Sequence, residues 1–212
     1  TPADYVDSIK ILIFFTMLTL LPSFIIMFTS FTRITVVFSL LKNAIGAQQS
    51  IPSQILVGLA IFLTIFIMQP VYTEINEVAL KPYSNEEITF EQALENASNP
   101  IKDFMLKETR QKDLELFVDA AKLNSGELTR KNIPLYSIVP AFAISELKTA
   151  FQIGFLLFVP FMVIDMIVAS VLMSMGMMML PPTVISLAFK LLLFVMVDGW
   201  NLIVKSLITS FS

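Results

Sequence analysis

Long uncharged stretches and one charged block set the pattern of this chain. Ile11 to Thr32 carries no charged residue, and a membrane helix needs about 20 apolar residues. Asn43 to Thr73 is also uncharged, but Gly46, Gln48, Gln49, Ser50 and Pro52 read as a turn, which leaves Ile55 to Val71 as the apolar helix. Thr149–Ile164 and Met166–Phe189 are split only by Asp165, and Leu191–Val204 is apolar apart from Asp198 and Asn201. The pattern predicts four hydrophobic helical segments in two pairs, the second pair kinked or broken. Pro22 and Pro160 fall inside such segments, where each removes a backbone donor and predicts a kink. In lipid the freed carbonyls need partners from other helices or water, which points to packing within an assembly.

The composition changes between the pairs. Glu74 to Pro140 holds 20 of the 31 charged residues, 12 acidic and 8 basic, so it reads as a water-facing insert. Ser84-x-x-Glu87 has capping-box spacing, and Phe104, Leu106, Leu114, Phe117, Val118 and Leu123 give rough helical periodicity. The expected fold class is therefore all-α: integral-membrane helical hairpins with kinked helices and a small helical insert. The divisions are an N-terminal hydrophobic hairpin (1–73), the charged insert (74–140), and a C-terminal hydrophobic hairpin with a Met-rich turn (141–212).

Composition strengthens the membrane reading. The chain is 56% hydrophobic and 15% charged, where soluble domains run at about 45–50% and 25%. A net charge of −3 gives no basic footprint for nucleic acid. Cysteine and histidine are both absent. The first absence excludes disulfides and thiolate metal sites; the second removes the commonest general base and metal ligand. No P-loop, dinucleotide fingerprint, zinc-protease or serine-elbow motif is present, so no enzyme and no cofactor are expected.

Orientation rests on Arg33 and Lys42, which lie between the first two segments with no acidic residue nearby. Short cytoplasmic loops carry Lys and Arg, so that connection is expected to face the cytoplasm and the insert and both termini the opposite side. The chain opens at Thr1, consistent with a terminus left by leader cleavage.

Two groups of residues are candidates for function. Five of the twelve methionines fall within Met173-Ser-Met-Gly-Met-Met-Met179, followed by Leu180 and Pro181-Pro182. Gly176 and the proline pair predict a turn at a hairpin tip. Methionine is unbranched and adaptable, so the cluster is either ordinary apolar packing or a compliant ring sealing a path in an oligomer. Thioether binding of copper is disfavoured without His or Cys nearby. The second group is charge at membrane depth: Glu146 and Lys148 at the start of the third segment, Asp165 in its middle, Lys190 and Asp198 in the fourth. Such groups face a protein interior or a wet path, or snorkel at the interface. A paired interior site is expected for Asp165 and Lys190.

Several motifs, in order along nearly the whole chain, resemble one known family: Phe28-Thr-Ser-Phe-Thr-Arg-Ile34, Pro140-Ala-Phe-Ala-Ile-Ser-Glu-Leu-Lys-Thr-Ala-Phe-Gln-Ile-Gly-Phe155, Pro160-Phe-Met-Val-Ile-Asp165, Gly176-Met-Met-Met-Leu-Pro-Pro182 and Phe189-Lys-Leu-Leu-Leu-Phe-Val-Met-Val-Asp-Gly-Trp200. They are similar to the FliP family of flagellar type III export-gate subunits. The virulence injectisome subunits share these motifs, but Pro181-Pro182 and the long insert favour the flagellar branch. Ala188 departs from the proline expected before Phe189-Lys190.

The resemblance implies a cleaved leader and a homo-oligomeric ring of five copies with FliQ and one FliR, abutting FlhB in the cytoplasmic membrane at the flagellar basal body. It further implies a helical funnel standing largely on the periplasmic side, conducting unfolded export substrates. Carried onto this chain, the gasket of the export path is Met177, Met178 and Met179, with Met175 beside them. Competing readings are a secondary transporter with an Asp165–Lys190 relay, a membrane enzyme using Asp165 and Asp198, and a scaffold with no path.

Overall fold

The computed structural model describes residues 2–48, 50–123, 132–177 and 181–211, with side chains from Ile11 onward apart from Met17 and Leu21. Among them every regular element is helical. The order is α1 (Pro2–Phe28), α2 (Phe31–Ile45), α3 (Ser53–Ile67), α4 (Gln69–Ile75), a π-helical segment (Asn76–Leu80), α5 (Lys81–Ser84), α6 (Phe90–Glu108), α7 (Gln111–Ala120), α8 (Leu135–Ser174), α9 (Pro182–Met196) and α10 (Gly199–Thr209).

The centre of the fold is α2, a helix the charge pattern hides. Its residues Ile34, Val37, Phe38, Leu41, Ala44 and Ile45 are all fully buried, at the three- and four-residue spacing of one helix face. They pack against Leu56, Ala60 and Leu63 of α3, Ala150 and Phe161 of α8, Phe194 of α9, and Ile203 and Leu207 of α10. The sequence places Arg33 and Lys42 together in one connection. In the structure both sit on α2, nine residues apart, or about 13 Å along the axis. Only Lys42 lies by the turn between α2 and α3; Arg33 lies at the opposite end.

Two further expectations change. Pro160 does not break its segment: α8 runs for 40 residues with Pro140 and Pro160 inside it, about 60 Å at helical rise. A proline costs one intrahelical hydrogen bond, and the long flanking turns on both sides hold the helix through that loss. The sharp bend of the C-terminal pair falls at Val197–Asp198 instead, where α9 and α10 meet at 64° and Asp198 takes a left-handed conformation (φ 50°). The N-terminal helix does bend at Pro22, by 43° between Ile11–Leu20 and Pro22–Phe28. The capping box of the insert is formed by Thr89 and Gln92, not by Ser84 and Glu87. Ser84 closes α5, and Thr89, with its extended backbone, is the residue placed to receive the Gln92 amide.

Both expected boundaries of the charged insert (74–140) fall inside helices, α4 and α8; between them lie the π-helical segment, α5, α6 and α7, and α6 and α7 pack against α8. Met105, Leu106, Ile133, Ile138 and Phe142 form a second, smaller core there.

Much apolar surface stays uncovered. The chain exposes 14062 Å², against about 9,900 Å² for a soluble monomer of 23.8 kDa. Ile11, Leu12, Ile13, Phe14 and Phe15 are each more than half exposed; five successive positions cover every side of a helix, so no face of α1 there rests on the body. Among the described residues one helix, Leu135–Ser174, is long and apolar enough to cross a membrane, and up to four spans result if each bent pair counts as one.

Candidate functional site

Charge clusters grip both ends of α2. At the first end, Arg33 is 2% exposed and Glu146 of α8 is 0% exposed. Arg33 donates from Nε to Glu146 Oε2 at 2.9 Å and from Nη2 to Glu146 Oε1, a two-pronged pairing. Nη2 also donates to Glu108 Oε2 of the insert at 2.8 Å. Nη1 donates to the Ser210 carbonyl at 2.9 Å and to Ser210 Oγ at 3.1 Å. Phe211 lies under the guanidinium, 3.7 Å from Cζ to the ring centroid, and stacks on Phe104. Lys107 Nζ donates to the Phe211 carbonyl at 3.2 Å. Arginine suits this position because its planar fork satisfies several acceptors at once without losing its charge.

At the other end, Lys190 of α9 donates from Nζ to Asp165 Oδ2 at 2.6 Å and to the Ala44 carbonyl at 3.1 Å. The second bond ties α9 to the last turn of α2. Ser186 Oγ donates to Asp165 Oδ1 at 2.6 Å. Lys190 is nearly buried, whereas the Asp165 side chain is 40% exposed, so this pair opens to its surroundings as the Arg33 pair does not. Lys148 and Asp198 are exposed on this chain. Neither is one of the buried charges that the sequence reading expected within this chain.

The methionine turn is built by its glycine. Helix α8 ends at Ser174; the Gly176 N–H donates to the Met173 carbonyl at 3.1 Å and the Met177 N–H to the Leu172 carbonyl at 3.0 Å. This pair of reversed bonds is a Schellman closure, which places Gly176 at φ 75°, a region that favours glycine. Pro181 and Pro182 then start α9, where the missing N–H is harmless. Met175 is 66% and Met177 38% exposed. Met178 and Met179 lie outside the described residues.

A third polar cluster docks the insert on α8. Asp113 accepts from Ser145 Oγ and from Arg110 Nη2, both at 2.6 Å, and the Arg110 N–H donates to Ser145 Oγ at 3.1 Å. The Ser145 hydroxyl holds the Asp113 carboxyl below its ordinary value, assisted by the Arg110 guanidinium and opposed by partial burial. A depressed folded pKa contributes stability above the unfolded value, about 3.9, and loses it as pH falls through the folded value. Hydrogen-exchange protection of α7 is therefore expected to be full at neutral pH and to drop below about pH 4. Asp113→Asn should flatten that dependence; an unchanged profile in the variant would assign it to other carboxylates.

Ser145, Ser186, Glu108, Ser210 and Phe211 were not legible as site residues. Their partners are distant in sequence, as with the 177 residues between Arg33 and Ser210, and a lone Ser or a terminal Phe carries no local signal.

These features define an all-α chain with one membrane-length apolar helix, Leu135–Ser174, and internal charge clusters that fasten its elements. The FliP family matches it over residues 14–207. It is 55% identical over 210 residues to the flagellar biosynthetic protein FliP of Bacillus subtilis, covering 99% of this chain and 95% of that one. With the protein of the same name from Aquifex aeolicus it shares 52% over 209 residues, 98% of this chain and 87% of the other. The Caulobacter vibrioides protein of that name is 53% identical over 196 residues, 92% and 73% of the two chains. The chain belongs to the FliP family.

Proposed function

We propose that this chain is a pore-forming subunit of the flagellar type III export gate, passing unfolded flagellar proteins across the cytoplasmic membrane. It acts as a homo-oligomer, in five copies, with FliQ and FliR and against FlhB, at the flagellar basal body, with the charged insert on the periplasmic side. It makes and breaks no covalent bond and holds no cofactor; the energy for transport comes from elsewhere.

The observation that carries this reading is the methionine turn. The Schellman closure sets the backbone at Gly176 and Met177, and Met175 and Met177 are exposed. A defined helix end presenting compliant side chains suits a seal. Thioether chains repack around varied polypeptide shapes, since no single geometry is demanded, and their apolar surface disfavours ions. The excess apolar surface supports membership of an assembly. The groove between α8 and α9, about 420 Å³ and lined by Ile164, Val168, Val171, Ile185 and Phe189, is one such uncovered face.

The test is ion leak in cells carrying the assembled complex, comparing the parent with a Met177→Ala, Met178→Ala, Met179→Ala variant. Leak is expected to rise severalfold while the complex still assembles, because three long side chains are removed from the constriction. Unchanged leak with unchanged export would return these methionines to ordinary packing. Substrate-specific flux through the purified chain alone would favour a secondary transporter.

A further inference from the structure

The end of α2 that carries the turn to α3 bears an unbalanced charge. No carboxylate occurs between Asp7 and Glu74, so the charges of this region need partners from elsewhere in the fold. Arg33 finds Glu146 and Glu108, and Lys190, which reaches the same end of α2, finds Asp165. Lys42 has no carboxylate partner among the described residues. Its Nζ donates to Ser53 Oγ at 3.0 Å, and its charge meets only the partial negative end of α2, whose last turn it occupies, with no full counter-charge.

Lys42 stands on the rim of a cavity of about 210 Å³ between α2 and α3. Thr35, Ser39 and Ser53 place three hydroxyls around it, while Leu56 and Val57 supply an apolar side. Ser53 accepts from Lys42 and keeps its own proton for an acceptor. From Val57 an apolar column continues down the outer face of α3 through Ile61 and Ile65, all three exposed. One ammonium, hydroxyl donors and an adjoining apolar track form an amphipathic site.

We propose that this cavity binds the phosphate of an anionic membrane phospholipid, with an acyl chain lying along Val57, Ile61 and Ile65. Lys42 supplies the charge and the serine hydroxyls supply donors to phosphate oxygens. Charge complementarity selects an anion, and the apolar column selects a lipid over a free phosphate, which has no use for it. On the orientation proposed above, with the insert on the periplasmic side, this turn meets the cytoplasmic leaflet, whose surface is rich in anionic lipid. A lysine near such a surface favours anionic lipid about fivefold.

The experiment is native mass spectrometry of the full chain in its complex, in detergent, with phosphatidylglycerol or phosphatidylcholine added. Lys42→Gln is expected to weaken phosphatidylglycerol retention about fivefold and to leave phosphatidylcholine retention unchanged. Lys42→Arg should keep it. Ser53→Ala, which leaves the charge in place, gives a second, smaller loss and serves if the Gln variant does not assemble. Equal phosphatidylglycerol retention by the parent and by both the Gln and Ala variants would overturn the site. Displacement of the lipid by millimolar inorganic phosphate would overturn the lipid as its occupant.

Discussion

Arg33→Ala is expected to destabilise the chain by about 3–5 kcal/mol, the range seen when one partner of a buried ion pair is removed. The variant leaves Glu146, fully buried, without its counter-charge. Glu108 and the Ser210 carbonyl lose their donor in the same step. Phe211 also loses the cation above its ring, a contact worth about 0.5–2 kcal/mol depending on exposure. Arg33→Lys should fall between, because an ammonium keeps the charge but cannot reproduce the fork. The readout is thermal unfolding followed by the only tryptophan, Trp200, which packs edge-on against Phe194 and Phe38. A fall in midpoint on the order of 10 °C is expected for a chain of this size. A midpoint within a degree or two of the parent would mean that water or lipid reaches Glu146 freely. Lys190→Ala is the informative contrast. Asp165 keeps the Ser186 hydrogen bond and is partly exposed, so its loss should be clearly smaller.

Gly154→Val is expected to be the next most disruptive change, by sterics rather than charge. A Cβ added at Gly154 of α8 would lie 2.2 Å from Leu40 Cδ1 and 3.0 Å from Leu40 Cβ of α2. The first overlap can be relieved by rotating Leu40; the second involves an atom fixed to the α2 backbone. Glycine therefore sets the separation of the two helices, as small residues do where helices approach closely. Two effects oppose one another in Gly154→Ala: better helix propensity, about 1 kcal/mol, and the Leu40 clash. Valine adds bulk with a smaller propensity gain over glycine than alanine has and should cost about 1–3 kcal/mol from overpacking. Pairing it with Leu40→Ala should recover part of the loss, and the double-mutant cycle measures how much. Additive losses would show that the helices separate for some other reason.

The sequence makes the helical class and the positions of the apolar runs legible, because an uncharged stretch of membrane length has few other solutions. It does not make α2 legible. Thr32, Arg33, Thr35, Ser39, Lys42 and Asn43 interrupt the apolar count across that helix, although Ile34, Val37, Phe38 and Leu41 repeat at helical spacing. Charge boundaries alone make the central helix look like a connection. They leave Arg33 no visible role beyond a topology signal, since its partners come from α6, α8 and the residues after α10. The Met-rich turn was visible because Gly176 and Pro181-Pro182 are local signals; the placing of the bend at Asp198 was not, because a left-handed aspartate looks like any other in sequence.

The Arg33 cluster also bears on how the chain is made. Its contacts span 113 residues to Glu146 and 177 to Ser210, so α2 emerges from the ribosome long before the groups that satisfy it. Until Ser210, just beyond α10, has been synthesised, a guanidinium on the central helix stays incompletely paired, and contacts so distant in sequence form late. The N-terminal third thus waits on the C-terminal end: a chain broken off before Ser210 keeps the Glu146 and Glu108 counter-charges but leaves Arg33 Nη1 without its acceptors.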